Sequence, residues 1–185
     1  MSNELQSELV QIYHWLRRYG LNDSHSGNMS VRNGDKYWIT PTGACADTLK
    51  VEQLIECQLY TTPVNGASLD APLHKLCYEK NPDINAVVHS HGPYAVGLTM
   101  DLENYTPSDF EGQYYFKNVP ILTIPYEQYV QNAPEMVSEA LQTHKIVVVR
   151  GHGIYAAAES LNLAYKWNSS LELSAKTDVI RRMSK

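Results

Sequence analysis

The chain has 185 residues, of which 43% are hydrophobic and 19% are charged, so it is long enough for one domain with a full core and too short for two comfortable ones. Its net charge of −5 and its scattered Lys and Arg residues argue against a nucleic-acid partner. No apolar stretch reaches the ~18 residues of a membrane span, and the first residues lack the basic and apolar regions of a signal peptide, so we expect a cytoplasmic protein with no membrane contact.

The first half of the chain predicts helices around a β-hairpin. Apolar residues recur at helical spacing from Leu5 to Tyr19, and Gly20 is placed to end that helix. The stretch MSVRNGDKYWIT indicates two strands about an Asn-Gly-Asp turn. TPTGA is typical of a turn, and TLKVEQLIEC predicts a short helix. Ser68 is placed to cap a helix over LDAPLHKLCYEK, which Asn81-Pro82 ends.

The second half alternates strands with helices. INAVVHSH predicts a strand, and a helix follows with Pro93 at its first position. After an irregular stretch rich in aromatic residues come a strand VPILTIP, a helix from Pro134 to about His144 and a short apolar strand IVVVR. A long terminal helix carries Leu161, Trp167 and other apolar residues. This order predicts a single layered α/β domain over residues 1–185, with a mixed or antiparallel sheet covered on its faces.

The three cysteines, Cys45, Cys57 and Cys77, are odd in number and form no CxxC pair. A disulfide framework or a zinc knuckle would need paired cysteines at suitable spacing. We therefore expect packed thiols in a reducing compartment.

Three histidines lie at the ends of predicted buried strands. In NAVVHSH, the side chains of His89 and His91 point to the same face of an extended strand at a spacing of ~6–7 Å. His152 follows IVVVR within Gly151-His152-Gly153, where glycine permits close approach of two backbones. A lone histidine is more often a surface or hydrogen-bonded residue. Three neutral imidazoles with an open position are the usual catalytic zinc arrangement, so the spacing favours a metal site.

Several segments together resemble the class II aldolase/adducin family. GNMSVR, ITPTGA, SLDAPLH, VVHSHGPYA and RGHGIYAAAESLNLAY occur in the order and spacing of that family, over nearly the whole chain. The resemblance implies a three-layer α/β/α fold with a central, mainly antiparallel sheet, a divalent metal that is usually zinc, and a homotetramer with active sites at subunit interfaces. Its members include fuculose-phosphate and rhamnulose-phosphate aldolases, a ribulose-phosphate 4-epimerase, a methylthioribulose-phosphate dehydratase, decarboxylases and the adducins. The fold alone therefore does not determine the reaction.

The resemblance also assigns candidate binding residues. His89, His91 and His152 correspond to the metal ligands of the family, where the dication stabilises the enediolate of a bound hydroxyketone. A second group matches positions that bind the substrate phosphate, and turns with small polar side chains suit an anion. Ordinary turn chemistry is the alternative interpretation of that group. Its members are Asn28, Thr42, Gly43 and Ser68. Leu69 replaces a serine that many sugar-phosphate members have, which removes one hydroxyl ligand.

Asp70 and Tyr114 are the candidate catalytic residues. By resemblance, Asp70 occupies the place of the general acid/base glutamate of the aldolases, although an acid in a first helical turn also complements the helix dipole. The epimerase has an aspartate there as a metal-associated residue, but it has a further aspartate where this chain has Gln113, which favours the aldolase. Tyr114 lies where family members bring a phenol to a neighbouring site to protonate a leaving alkoxide. Packing beside Phe116 is the alternative role for Tyr114.

Three functions remain open from the sequence. The first is a zinc-dependent aldolase that cleaves a ketose phosphate resembling fuculose 1-phosphate, a small-molecule substrate, by retro-aldol chemistry. The second is an epimerase, dehydratase or decarboxylase of the same family. The third is a non-catalytic module like that of the adducins, against which the complete set of three histidines argues.

Overall fold

The structure is a computed structural model that describes residues 2–184. Within these residues the chain forms six α-helices and eight strands. The helices are α1 (Ser2–Arg18), α2 (Ala71–Lys80), α3 (Pro93–Thr99), α4 (Phe110–Tyr115), α5 (Tyr129–Thr143) and α6 (Leu161–Met183). The strands are β1 (Asn28–Asn33), β2 (Lys36–Ile39), β3 (Ile55–Gln58), β4 (Ala86–Ser90), β5 (Asn104–Tyr105), β6 (Val119–Leu122), β7 (Ile146–Val149) and β8 (Gly153–Ala158).

The eight strands form one sheet in the order β3-β2-β1-β4-β8-β7-β6-β5. Only β6 and β7 pair in parallel among the described strands, and all other neighbours are antiparallel. The central strands β4 and β8 are buried along their whole length. The mainly antiparallel sheet that the sequence analysis predicted is therefore confirmed.

Helices cover both faces of this sheet. One apolar cluster joins α1, α3 and α6 to side chains such as Val88 in β4, and the other joins α2 and α5 to side chains such as Val87. Because alternate residues of a strand point to opposite faces, His89 lies on the same face as Val87, toward α2 and α5. The three-layer α/β/α architecture is confirmed. Because His89 is on the α2 and α5 side of the sheet, these two helices are the ones nearest to it. No helix within residues 2–184 is long and apolar enough to cross a membrane.

Several local predictions differ from the structure. Ser68 does not cap α2, which begins at Ala71 directly after Asp70. The stretch expected to be irregular contains β5 and α4. The predicted helix over TLKVEQLIEC is only a 3₁₀ turn at Val51–Gln53 followed by β3, because pairing with β2 holds the second half extended. Helix α5 begins at Tyr129, five residues before the expected start, with Pro134 inside it. Strand β8 was not predicted, because its three alanines have little intrinsic preference for strands. Burial between β4 and β7 overrides that preference.

Candidate active site

Three histidines meet at one end of the central strands. His89 is the penultimate residue of β4, His91 follows that strand, and His152 lies in the turn between β7 and β8. One ring nitrogen of each lies within 4.8 Å of a ring nitrogen of the others. The structure therefore brings together the three side chains that the sequence analysis singled out as candidate metal ligands.

Two glycines let the β7–β8 turn approach β4. Gly151 has a φ of +68°, a left-handed conformation that glycine adopts without a steric penalty. Gly153 lies so close to β4 that a Cβ atom there would press against the Ser90 carbonyl oxygen and lie 2.8 Å from His89 Cε1. The Gly-His-Gly sequence therefore has a steric role on both sides of His152.

Hydrogen bonds orient the imidazole of His89 and hold the backbone of His91. His89 Nδ1 lies 3.0 Å from the Ile154 carbonyl oxygen, which can only accept, so Nδ1 carries the proton and Nε2 keeps its lone pair. The Nε2 atoms of His89 and His91 are 2.9 Å apart. The backbone N–H of His91 donates to the Leu21 carbonyl and to Asn22 Oδ1, both at 2.9 Å. Fixing one nitrogen by a backbone carbonyl is the usual outer-shell arrangement of a metal-binding histidine.

The surroundings of the histidines favour their neutral forms. Burial lowers the pKa of His89 well below its usual value, and electrostatic interaction with the other two histidines lowers it further. Burial also lowers the pKa of His91 to about 4 and lowers the pKa of His152, although the negative charge of Asp70 opposes both shifts. Neutral imidazole is the form that binds a metal.

The donor set fits a divalent metal. Three neutral imidazoles are a common protein contribution to a catalytic zinc site. His152 Nδ1 is buried and has no hydrogen-bond partner among the described residues, which is costly for a polar atom. A cluster of nitrogen lone pairs with such an unpartnered atom is consistent with a cation site.

Asp70 lies beside the histidines and is held by three donors. It is the residue before α2, and it is buried, with 6% of the residue exposed. Asn28 Nδ2 donates to its Oδ2 at 2.9 Å, the Tyr155 hydroxyl donates to Oδ2 at 2.8 Å, and the Tyr129 hydroxyl donates to Oδ1 at 2.8 Å. The prediction placed Asp70 at this site but named neither tyrosine. The position of Tyr155, two residues after Gly153, would have indicated its role if β8 had been predicted as a strand. Nothing in the sequence distinguishes Tyr129 among the 13 tyrosines.

The predicted phosphate-binding residues line the same cavity as the histidines. This cavity has a volume of about 170 Å³. Gly43 forms the turn at one side with a φ of +65°, and the Ser68 hydroxyl accepts the Asp70 backbone N–H at 3.2 Å. Leu69 lies at the rim and is exposed. The lining comprises Asn28, Thr42, Gly43, Ser68, Asp70 and the three histidines, together with His25, Gly27, Pro41, Leu69 and Tyr129.

Tyr114 lies away from this cavity. It is on α4 and 78% exposed, and its ring contacts that of Tyr115. Within one chain the structure therefore does not bring Tyr114 to Asp70 or to the histidines. Its assignment to a neighbouring site stays a prediction.

The chain belongs to a family of enzymes and related proteins that this fold and site define. A family model described as "Class II Aldolase and Adducin N-terminal domain" matches residues 7–179. The crystal structure of L-fuculose-1-phosphate aldolase from Thermus thermophilus has a TM-score of 0.91 and 33% sequence identity, with 99% of this chain and 97% of that chain covered. The family resemblance stated from the sequence is confirmed.

The curated relatives are named for different reactions. An L-fuculose phosphate aldolase of Methanocaldococcus jannaschii is 29% identical over 165 residues, which cover 86% of this chain and 87% of the relative. A methylthioribulose-1-phosphate dehydratase of Klebsiella pneumoniae is 26% identical, with 98% of each chain covered. Membership of this enzyme superfamily is thus established, while the reaction must be argued from the site.

Proposed function

We propose that this chain is a zinc-dependent aldolase that cleaves a ketose phosphate resembling fuculose 1-phosphate by retro-aldol chemistry. The observation that carries the proposal is one cavity that combines three converging imidazoles, a single carboxylate and two turns suited to an anion. In an aldolase, a metal held by the imidazoles would act on the carbonyl group, the carboxylate would transfer the proton, and the turns would bind the phosphate. The similarity to aldolases in two organisms supports the same choice.

His89, His91 and His152 would hold the metal ion. A bound divalent ion supplies a Lewis acid that withdraws electrons from the substrate carbonyl. Three protein ligands leave a position open for the substrate. The hydrogen bond from His89 Nδ1 to the Ile154 carbonyl keeps that ring in the tautomer with a free Nε2.

The other side of the cavity would hold the phosphate. Thr42 and Gly43 form a turn whose backbone N–H groups suit an anion, and Ser68 adds a hydroxyl. Asn28 Nδ2 donates one of its two hydrogens to Asp70, so the second hydrogen would be free to donate to the phosphate. Leu69 contributes no hydroxyl, so this site would make fewer contacts to phosphate than a site with two serines.

Asp70 would transfer the proton. It is the one carboxylate among the described residues that line this cavity. In aldol cleavage, a base takes the proton of the hydroxyl group on the carbon that becomes the aldehyde, and the electron pair of the broken C–C bond moves toward the substrate carbonyl oxygen. The same group then returns its proton to the carbon that lost its partner, which gives the ketone product. The three hydrogen bonds to Asp70 fix the carboxylate for that transfer.

We also propose that the protein is a homotetramer with active sites at its subunit interfaces. Large apolar side chains are exposed on and near α4 and α5, which is unusual for a monomer when they form a patch. They include Phe110 and Tyr126, which are 82% and 91% exposed, together with Tyr114. Tyr114 would then act as a proton donor in the site of a neighbouring subunit.

The test combines product analysis with metal analysis. The zinc-loaded protein is incubated with a panel of ketose 1-phosphates and their unphosphorylated forms, and release of dihydroxyacetone phosphate is measured against inversion at C4 and against dehydration. We expect triose phosphate release, faster with phosphorylated substrates, and a kcat lower by roughly 10²–10⁴ in Asp70→Asn at unchanged zinc content. Dehydration or C4 inversion as the main reaction would overturn the aldolase assignment.

Elemental analysis tests the metal site separately. The wild type should carry about one zinc ion per chain, and the double variant His91→Ala, His152→Ala should carry none. His144→Ala is the matched control, because His144 follows α5 outside the cavity. Full zinc content in the double variant would remove this site from consideration.

A further inference from the structure

Tyr155 connects a candidate metal ligand to the candidate acid. It is fully buried in β8 and lies opposite His89 in the register of β4 and β8. Its ring stacks on the His89 imidazole with centroids 3.9 Å apart and planes within 2° of parallel. Its hydroxyl donates to Asp70 Oδ2 at 2.8 Å. One side chain therefore touches both functional groups.

Tyr129 reaches the other oxygen of the same carboxylate. Its hydroxyl donates to Asp70 Oδ1 at 2.8 Å and also contacts the Tyr155 hydroxyl. A carboxylate has about four lone-pair sites. Oδ2 accepts two hydrogen bonds, from Tyr155 and Asn28, while Oδ1 accepts one. The remaining lone pair is thus on Oδ1, which identifies this atom as the one free to take a proton.

We propose that Tyr129 and Tyr155 are positioning residues that present Oδ1 of Asp70 to the substrate, and that Tyr155 fixes the acid relative to His89. The inference rests on the proton-transfer role proposed for Asp70. Both tyrosines act through the carboxylate, and Tyr155 also acts through the imidazole on which it stacks.

Each hydroxyl keeps a hydrogen-bond partner before and after the transfer, and the number of hydrogen bonds among the three groups rises from two to three. While Asp70 is ionised, both tyrosine hydroxyls donate to it. Once Oδ1 has taken the substrate proton, that O–H can donate to Tyr129, Tyr129 to Tyr155, and Tyr155 to Oδ2. Only hydroxyl hydrogens rotate, and no heavy atom has to move. A buried polar group without a partner is costly, so this closed arrangement spares the site that cost in both states.

Substitutions of Tyr155 separate the two contacts. Tyr155→Phe keeps the stacked ring and removes the hydroxyl, whereas Tyr155→Leu removes both. We expect Tyr155→Phe to lower kcat by roughly 10–100-fold with little change in KM, and to leave the zinc affinity of the metal-free protein unchanged in a chelator competition. Tyr155→Leu should also weaken zinc binding, by about 10-fold, because His89 loses its stacked partner.

Tyr129→Phe tests whether the hydroxyls act as a unit. It should lower kcat by a factor similar to that of Tyr155→Phe, and the double variant should lose less than the product of the two factors, because both act through one carboxylate. Tyr105→Phe is the matched control. Tyr105 is also buried and donates to a buried aspartate, Asp178 at 2.7 Å, but in the edge strand β5. Tyr105→Phe should lose about as much thermal stability as Tyr155→Phe does, and it should keep the kcat of the wild type.

Two results would overturn the inference. One is a kcat of Tyr155→Phe that falls no further than that of Tyr105→Phe. The other is equal zinc affinity in Tyr155→Leu and Tyr155→Phe. A wild-type protein without aldolase activity would instead refute the proposed function, and the zinc comparison would then still decide whether Tyr155 fixes His89.

Discussion

Replacing Gly153 with alanine should damage the histidine cluster without removing any of its ligands. A Cβ atom at this position would press on the Ser90 carbonyl oxygen, and it would lie 2.8 Å from His89 Cε1 and 3.1 Å from His91 Cδ2. Carbon atoms pack favourably at about 3.5–4.0 Å, so the end of β4 or the start of β8 has to shift by several tenths of an ångström up to about 1 Å. The φ of Gly153 is not positive, so the space and not the backbone conformation is the cause.

The size of the effect follows from these contacts. Forcing extra volume into a packed interior costs about 1–3 kcal/mol of unfolding free energy. For a chain of 185 residues this corresponds to a melting temperature lower by roughly 2–12 °C. A misplacement near 1 Å costs on the order of 10² in rate, which is about 2.7 kcal/mol of transition-state free energy, so kcat should fall by up to that factor. The zinc affinity should fall as well, because two of the three candidate ligands are displaced.

Chelator competition on the metal-free protein measures the zinc affinity, and thermal unfolding measures the stability. Gly97→Ala is the matched control, because a Cβ at Gly97 in α3 meets nothing within 4 Å. Alanine is a better helix former than glycine, so the unfolding free energy of this variant should be about 0.5–1 kcal/mol higher. Its zinc affinity should equal that of the wild type. If Gly153→Ala keeps both its zinc affinity and its stability, the close approach of β8 to β4 is not what holds the histidines together.

Burial lowers the pKa of the fully buried His74 to about 4 from its usual 6.5, so the folded state loses stability as the pH falls from about 6.5 to about 4, by about 3 kcal/mol. In denaturant titrations, the unfolding free energy of His74→Gln should fall over this pH range by about 3 kcal/mol less than that of the wild type. An equal fall in the two proteins would contradict the prediction. Gly43→Ala, at a φ of +65°, should raise the KM for a phosphorylated ketose and leave that for the unphosphorylated form unchanged; equal KM changes would place the phosphate elsewhere. Zinc at 100 times its Kd should add about 2.7 kcal/mol to the unfolding free energy, and His91→Ala should abolish this gain; a stabilisation that persists in the variant would mean that zinc binds elsewhere.

The sequence predicted the parts of the site that depend on local periodicity. His89 and His91 share a face because they are two residues apart in a strand, and a run of apolar residues identifies that strand. The turn that carries His152 is marked by its two glycines. The alternation of strands with helices likewise indicated the layered fold.

The surroundings of Asp70 could not be predicted in the same way. Its donors Asn28, Tyr129 and Tyr155 are separated from it by 42, 59 and 85 residues. They meet it because α2, α5, β1 and β8 lie together in the fold, and periodicity within one segment carries no such information. Strand β8 shows the same limit, since its alanines are extended only where two neighbouring strands pair with them.

Ser90 fixes the face of the sheet that the two histidines occupy. Its hydroxyl donates to Asn168 Oδ1 on α6, and Asn168 Nδ2 donates to the Val88 carbonyl at 3.3 Å. A slip of one residue in β4 would turn His89 and His91 toward α6, away from Asp70, and would leave the Ser90 hydroxyl among the apolar side chains of α2 and α5. A buried hydroxyl without a partner is costly, so the serine opposes that register. Ser90, which separates His89 from His91, thus helps to place both histidines although its side chain points away from the site.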